Sequence, residues 1–221
     1  MDRTATLDHA ATRAVVLAGA LPAAFESAVL AACVDASRTL RPTPLKAVPR
    51  AGEALAEFDR EDPAERLEFL LTGLGCLTWR DSRSGGERRR YSVERVLVHE
   101  SQRHATSRML DSAWRQGRQA LLSAEPLGAS SPRNAQRLTL AQAAWRAALL
   151  AAGHRRRRHV LSVMIRDQEV AAVLVRAARL LGVTADVTRR SGCVVVTVPA
   201  DAADLLPATP PRLRLRDSAL V

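Results

Sequence analysis

Aromatic side chains are scarce, at 3% of the 221 residues, so Ala, Leu and Val have to fill the core. Almost none of those rings falls in a β-patterned stretch, which argues against a surface that stacks unpaired bases. Trp79, Trp114 and Trp145 read as single apolar anchors in core or interface. Lysine is nearly missing: Lys46 is the only one, and every other basic residue is arginine. The three cysteines, Cys33, Cys76 and Cys193, lie far apart with no CxxC pair, which excludes a disulfide framework and a zinc-finger spacing. Long apolar runs are missing too. The stretch from Ala14 to Ala32 is interrupted by Pro22 and Glu26, short of a membrane span. The start carries Asp2 and Asp8 where a secretory leader would be basic. These features lead us to expect a cytoplasmic chain with no membrane partner.

Other absences concern chemistry. The histidines His9, His99, His104, His154 and His159 form no metal-ligand spacing, and no GxSxG elbow accompanies Ser101 or Asp111. Neither GxGxxG nor GxxxxGK[ST] occurs, so nucleotide binding has no signal. The expectation is a chain without cofactor, metal or catalytic residues.

What is present in excess is positive charge, +10 at neutral pH. Such an excess favours nucleic acid or an acidic protein partner. It gathers in three clusters: Arg88, Arg89 and Arg90; Arg155, Arg156, Arg157 and Arg158; and Arg189 with Arg190. Two adjacent arginines are commonly a solvated turn. Four in a row repel one another unless an anion lies nearby, and guanidinium suits phosphate in a two-pronged geometry.

Pattern and punctuation place these clusters. Leu7 to Arg38 reads as one or two Ala-rich helices, Arg41 to Gly52 as a proline-rich linker, and Ala51 to Phe58 as a short helix. Asp62, Pro63 and Glu65 predict a helix start, with Leu67, Leu70, Leu71 and Leu74 as its apolar stripe. Strands are expected at Thr78 to Asp81 and Tyr91 to His99, a helix at Ser101 to Leu122, and a linker at Leu127 to Gln136. Thr139 and Gln142 form a capping-box pattern opening the next helix, which Gly153 ends. One or two strands follow, including Val160 to Ile165. A helix capped by Asp167 and closed by Gly182 comes next. Val183 to Thr188 and Cys193 to Val198 flank an Arg-Arg-Ser-Gly turn, and a short helix is expected at Ala202 to Leu206.

The stretch AAWRAALLAAG, with VAAVLVRAARLLGVTADV about twenty residues later and a Val-rich strand beyond, resembles the second half of the LAGLIDADG-like domain of the WhiA family of sporulation and cell-division regulators. The resemblance spans roughly Ala120 to Leu206. It implies an α+β fold of two LAGLIDADG-like half-domains, each a helix with an antiparallel sheet, behind a helical N-terminal segment. The expected divisions are a helical segment and linker over 1–60, a first, incomplete unit over 61–137, a second unit over 138–206 and a mobile basic tail over 207–221. In this fold the first helices pack together through small residues, here Gly73 and Ala151, and the sheets form a saddle over DNA.

Homing endonucleases of the same fold carry a metal-binding acid near the end of each first helix. The matching positions here are Leu74 and Ala152, neither able to ligate a cation. The resemblance therefore implies a non-catalytic, DNA-binding or transcription-regulatory protein whose Arg-rich turns contact double-stranded DNA. The alternative is a protein–protein interaction module, meeting a regulator or a second copy of itself, without direct DNA contact. The WhiA family continues into a C-terminal helix-turn-helix domain, and this sequence stops soon after the second unit, which keeps that alternative open.

Overall fold

The computed structural model of the chain describes residues 19–34, 53–85, 91–123, 131–152, 154–157 and 159–204. A first helix, α1, covers residues 19–34. After it come β1 (Ala56–Phe58), α2 (Glu61–Gly73), β2 (Thr78–Gly85), β3 (Tyr91–Val98) and α3 (Glu100–Leu122). The second half contains α4 (Pro132–Ala151), β4 (His154–Arg157), β5 (Val160–Ile165), α5 (Gln168–Leu180), β6 (Asp186–Arg190), β7 (Cys193–Pro199) and a 3-10 turn at Ala200–Asp204. The strands form two antiparallel sheets, ordered β1-β3-β2 and β4-β5-β7-β6. This is the α+β architecture expected.

The two halves repeat each other in register. Helices α2 and α5 have the same length, and their ends differ by 107, as between Glu61 and Gln168 or Gly73 and Leu180. Both close in the same way. The Leu74 amide donates to Leu70 and Leu71, and the Leu181 amide donates to Ala177 and Ala178. Gly75 and Gly182 then reverse the chain at φ of 82° and 78°, values that only glycine adopts without a Cβ penalty. The spacing persists into the sheets: Ala56 pairs with Val96 as Val163 pairs with Val196, and Arg80 and Val187 lie across the same two valines. Across β3 and β7 the difference falls to 100, so the first hairpin is seven residues longer.

This repeat corrects the expected division at residue 61. β1 lies in the first sheet, and α2 matches α5 rather than α4. The first unit therefore starts earlier, with α1 in the place that α4 holds in the second. β2 and β3 are the counterpart of β6 and β7.

Several local expectations change as well. Ala56–Phe58 is a strand, not a helix, and α2 has Arg60 as its N-cap, which puts Pro63 two residues further in than expected. Helix α4 begins at Pro132, inside the expected linker. Thr139 is well within it, its hydroxyl donating to the Ala135 carbonyl at 3.0 Å instead of capping an end. Asp167 does cap α5, accepting from the Glu169 and Val170 amides at 2.6 and 3.2 Å.

A single core joins the units. Phe25 and Leu30 of α1, Leu67 and Leu71 of α2, Leu121 of α3, Leu140 and Trp145 of α4 and Leu174 of α5 are all buried in it. Each such side chain contributes roughly 1.5–3 kcal/mol relative to exposure. Along α4, Ala141, Ala143, Ala144, Ala147 and Ala148 are completely buried, so its neighbours pack against a thin helix. Trp145 donates from Nε1 to the Leu174 carbonyl at 3.0 Å, tying α4 to α5. Glu26 of α1, buried among these helices, accepts from Arg66 of α2 and Arg146 of α4. No described helix is long and apolar enough to cross a membrane.

Candidate nucleic-acid interface

Strand alternation gives each sheet a helix-side face and a face turned away from the helices. In the second sheet, Leu161, Val163, Ile165, Val194, Val196 and Val198 are buried against the helices. The opposite face of the central strands carries Val160, Ser162 and Met164 on β5 and Cys193, Val195 and Thr197 on β7. It holds no charge, and Met164 is 52% exposed.

The arginines lie on the two edges of this sheet, since β4 and β6 are its outer strands. Arg155, Arg156 and Arg157 form most of β4, a strand and not a turn, and their register positions are opposite Ser162, Leu161 and Val160. Arg155 and Arg157 therefore take the positions of the outward row. Arg189 and Arg190 likewise belong to β6, and the turn after them is only Ser191 and Gly192. Arg189 pairs with buried Val194 and Arg190 with Cys193, so the two sit on opposite faces of the strand. Only Arg190 is on the outward face, which corrects the expectation that they act as one cluster. Arg158 and Arg88 to Arg90 lie outside the described residues.

The outward face of the first sheet is different in kind. Arg95 in β3 donates to Glu57 of β1 and Asp81 of β2, each at 3.0 Å, and its side chain is only 9% exposed. Arg83 donates to the same Asp81 oxygen at 3.1 Å. Trp79 and Leu97 form the adjoining pair. On the helix side, Arg80 is held by Glu68 at 2.7 Å and Glu61 at 3.4 Å. Burial pulls the Arg80 pKa down, but the hydrogen bonds and charges of these acids outweigh it, so the net shift is upward. These interactions were not legible in the sequence, because they depend on pairing residues up to 38 positions apart.

The residues expected to bring the units together fare unequally. Ala151 is half-buried against the core, whereas Gly73 is exposed and an added Cβ there would meet nothing within 4 Å. The close approach is made instead by the buried alanines of α4. Ala152 is the C-cap of α4, as required of a position at the end of a lead helix. Leu74 is the C-cap of α2, the counterpart of Leu181, and so does not correspond to it. The residues that follow α1 are outside the described set.

Solved structures share this arrangement. A single-substitution variant of I-DmoI, in complex with its target DNA in the presence of magnesium, is similar over 83% of this chain and 94% of its own, at 14% identity and a TM-score of 0.50. I-DmoI in complex with DNA and manganese covers 85% and 99%, at 13% identity and a TM-score of 0.49. The N-terminal LAGLIDADG domain of DUF199/WhiA covers 86% and 88%, at 11% identity and a TM-score of 0.46. The first of these likenesses establishes the fold as LAGLIDADG-like and goes no further. No protein-family model and no curated protein matches the sequence.

Proposed function

We propose that this is a non-catalytic double-stranded-DNA-binding protein, a cytoplasmic regulator of the WhiA kind, in sporulation or cell division, that holds duplex phosphates with the arginines of the second sheet. One observation carries the reading: both edge strands of that sheet bear arginines, and the outward face between them is uncharged. The edges are three strand spacings apart, about 14 Å at ~4.8 Å each. That is close to the ~12 Å width of the major groove, which admits a two-stranded ribbon. The β5–β7 ribbon can enter the groove while arginines on β4 and β6 meet the phosphates on either side. The I-DmoI variant of similar fold is in complex with its target DNA.

The non-catalytic part of the proposal rests on Ala152. A methyl group at the end of α4 offers no oxygen to a divalent cation, so the pair of acids used by nucleases of this fold is incomplete. The competing reading, a protein-interaction module, draws on the first sheet, where the outward charges are already paired to one another and Trp79 is 44% exposed.

Fluorescence anisotropy with a labelled random-sequence duplex at rising salt separates the two readings. DNA binding gives affinity that falls steeply as salt rises, with a shallower slope when Arg155 to Arg158 are all changed to alanine. A folded protein that binds no duplex at low salt would sink the DNA reading.

A further inference from the structure

The internal repeat lets the two outward faces be compared residue by residue. The central row of the first sheet is Glu57, Arg95 and Asp81, paired side by side across β1, β3 and β2. The row at the same place in the second sheet is Met164, Val195 and Thr188, paired across β5, β7 and β6. The first row is ionic and mutually satisfied; the second is neutral, with a thioether, a branched methyl pair and a hydroxyl.

These rows would meet a DNA groove very differently. Carboxylates at Glu57 and Asp81 repel phosphate, and both already accept from Arg95, which is held between them with its side chain 9% exposed. Freeing Arg95 for a guanine would leave Glu57, only 15% exposed, without that partner, a costly exchange. The second row has no such obligation. Met164 is 52% exposed and Thr188 is exposed. Methyl and thioether groups suit the thymine C5-methyl, and a threonine hydroxyl donates or accepts at either base pair.

We infer that sequence reading is confined to the second unit: the outward row Met164–Val195–Thr188 contacts base edges, and the first unit contributes no base contact, so the recognised DNA is a single half-site. This deepens the DNA-binding proposal and rests on it. The asymmetry comes from three substitutions at matched positions, Glu57 against Met164, Arg95 against Val195 and Asp81 against Thr188.

The test is selection of bound sequences from a random duplex pool by the full chain. Variants Met164→Ala with Thr188→Ala, and separately Asp81→Asn and Glu57→Gln, are run in parallel. The expected result is one contiguous half-site motif, which the Met164/Thr188 variant loses while its binding to unselected duplex keeps the same salt slope. The Asp81 and Glu57 variants keep the motif. Two information-bearing half-sites, or a motif altered by Asp81→Asn or Glu57→Gln, would overturn the inference. Duplex retained with no sequence preference would also overturn it, while leaving phosphate binding intact. If no duplex is retained at low salt, the DNA reading itself fails, and this inference falls with it.

Discussion

Arg146 of α4 grips Glu26 of α1 at the junction of the two units, its Nε and Nη2 donating to the two carboxylate oxygens at 3.0 and 2.8 Å. Arg66 of α2 does the same from another side, at 2.7 and 3.1 Å. The carboxylate is 2% exposed and the guanidiniums are 16% and 21% exposed, so water screens the arginines but not the acid between them.

Removing Glu26 should therefore cost more than its own contacts. Glu26→Ala leaves two guanidiniums facing each other in a partly buried site, and breaking a buried pair costs about 3–5 kcal/mol. Partial solvation of the arginines places the expected loss toward the lower end. Glu26→Gln keeps the shape and two acceptor positions on one oxygen, so it should lose less. Urea unfolding midpoints of the two variants measure this; equal stability to the parent would remove Glu26 as the joint between α1, α2 and α4.

Gly117 is the next weak point. A Cβ there would fall on the ring of Phe25, which is fully buried and stacked on Trp114 with centroids 6.0 Å apart. That ring has nowhere to retreat, so Gly117→Ala should destabilise the chain by about 1–3 kcal/mol through overpacking, despite alanine's better helix propensity. Gly73→Ala, with open space around it, is the control and should be neutral or slightly stabilising in thermal melts.

Cys33 supplies a pH signature. Burial, with a smaller effect from the charge of Asp167, pushes its thiol from 9.0 up to about 12. Below pH 9 both folded and unfolded chains hold the proton, and the thiol contributes no slope. As pH rises from 9 toward 12 the unfolded chain releases a proton that the folded chain keeps, so stability falls across that window. Cys33→Ala should flatten this part of the stability–pH curve. Iodoacetamide at pH 8 should label Cys33 only after denaturation.

Much of the second unit was legible because its signals are local. An N-cap aspartate, an apolar stripe along a thirteen-residue helix and a closing glycine define α5, and β-branched runs define β5 and β7. The start of α4 was misplaced because Thr139 and Gln142 mimic a capping box inside a helix. The helix opens instead after Ser131, with Pro132 in its first turn. β1 has three residues, too few to display alternation, and owes its existence to β3 almost forty positions away. The same distance hid the repeat. Its clearest sequence mark is Leu-Gly at Leu74–Gly75 and Leu181–Gly182, spaced by the same 107 as the helices. Charge clustering in sequence located the arginines but not their faces, because a strand sends neighbours to opposite sides.

That last point sets the most direct measurement. Arg189 and Arg190 are adjacent, both exposed and chemically identical, and differ only in the face of β6 they occupy. Duplex affinity measured against salt concentration for Arg190→Ala and Arg189→Ala isolates the face from the charge. If phosphates lie along the outward side of the second sheet, Arg190→Ala should weaken binding and lower the salt slope by about one, with Arg189→Ala close to the parent. Equal losses from the two variants, or a larger one from Arg189→Ala, would contradict that placement of the DNA.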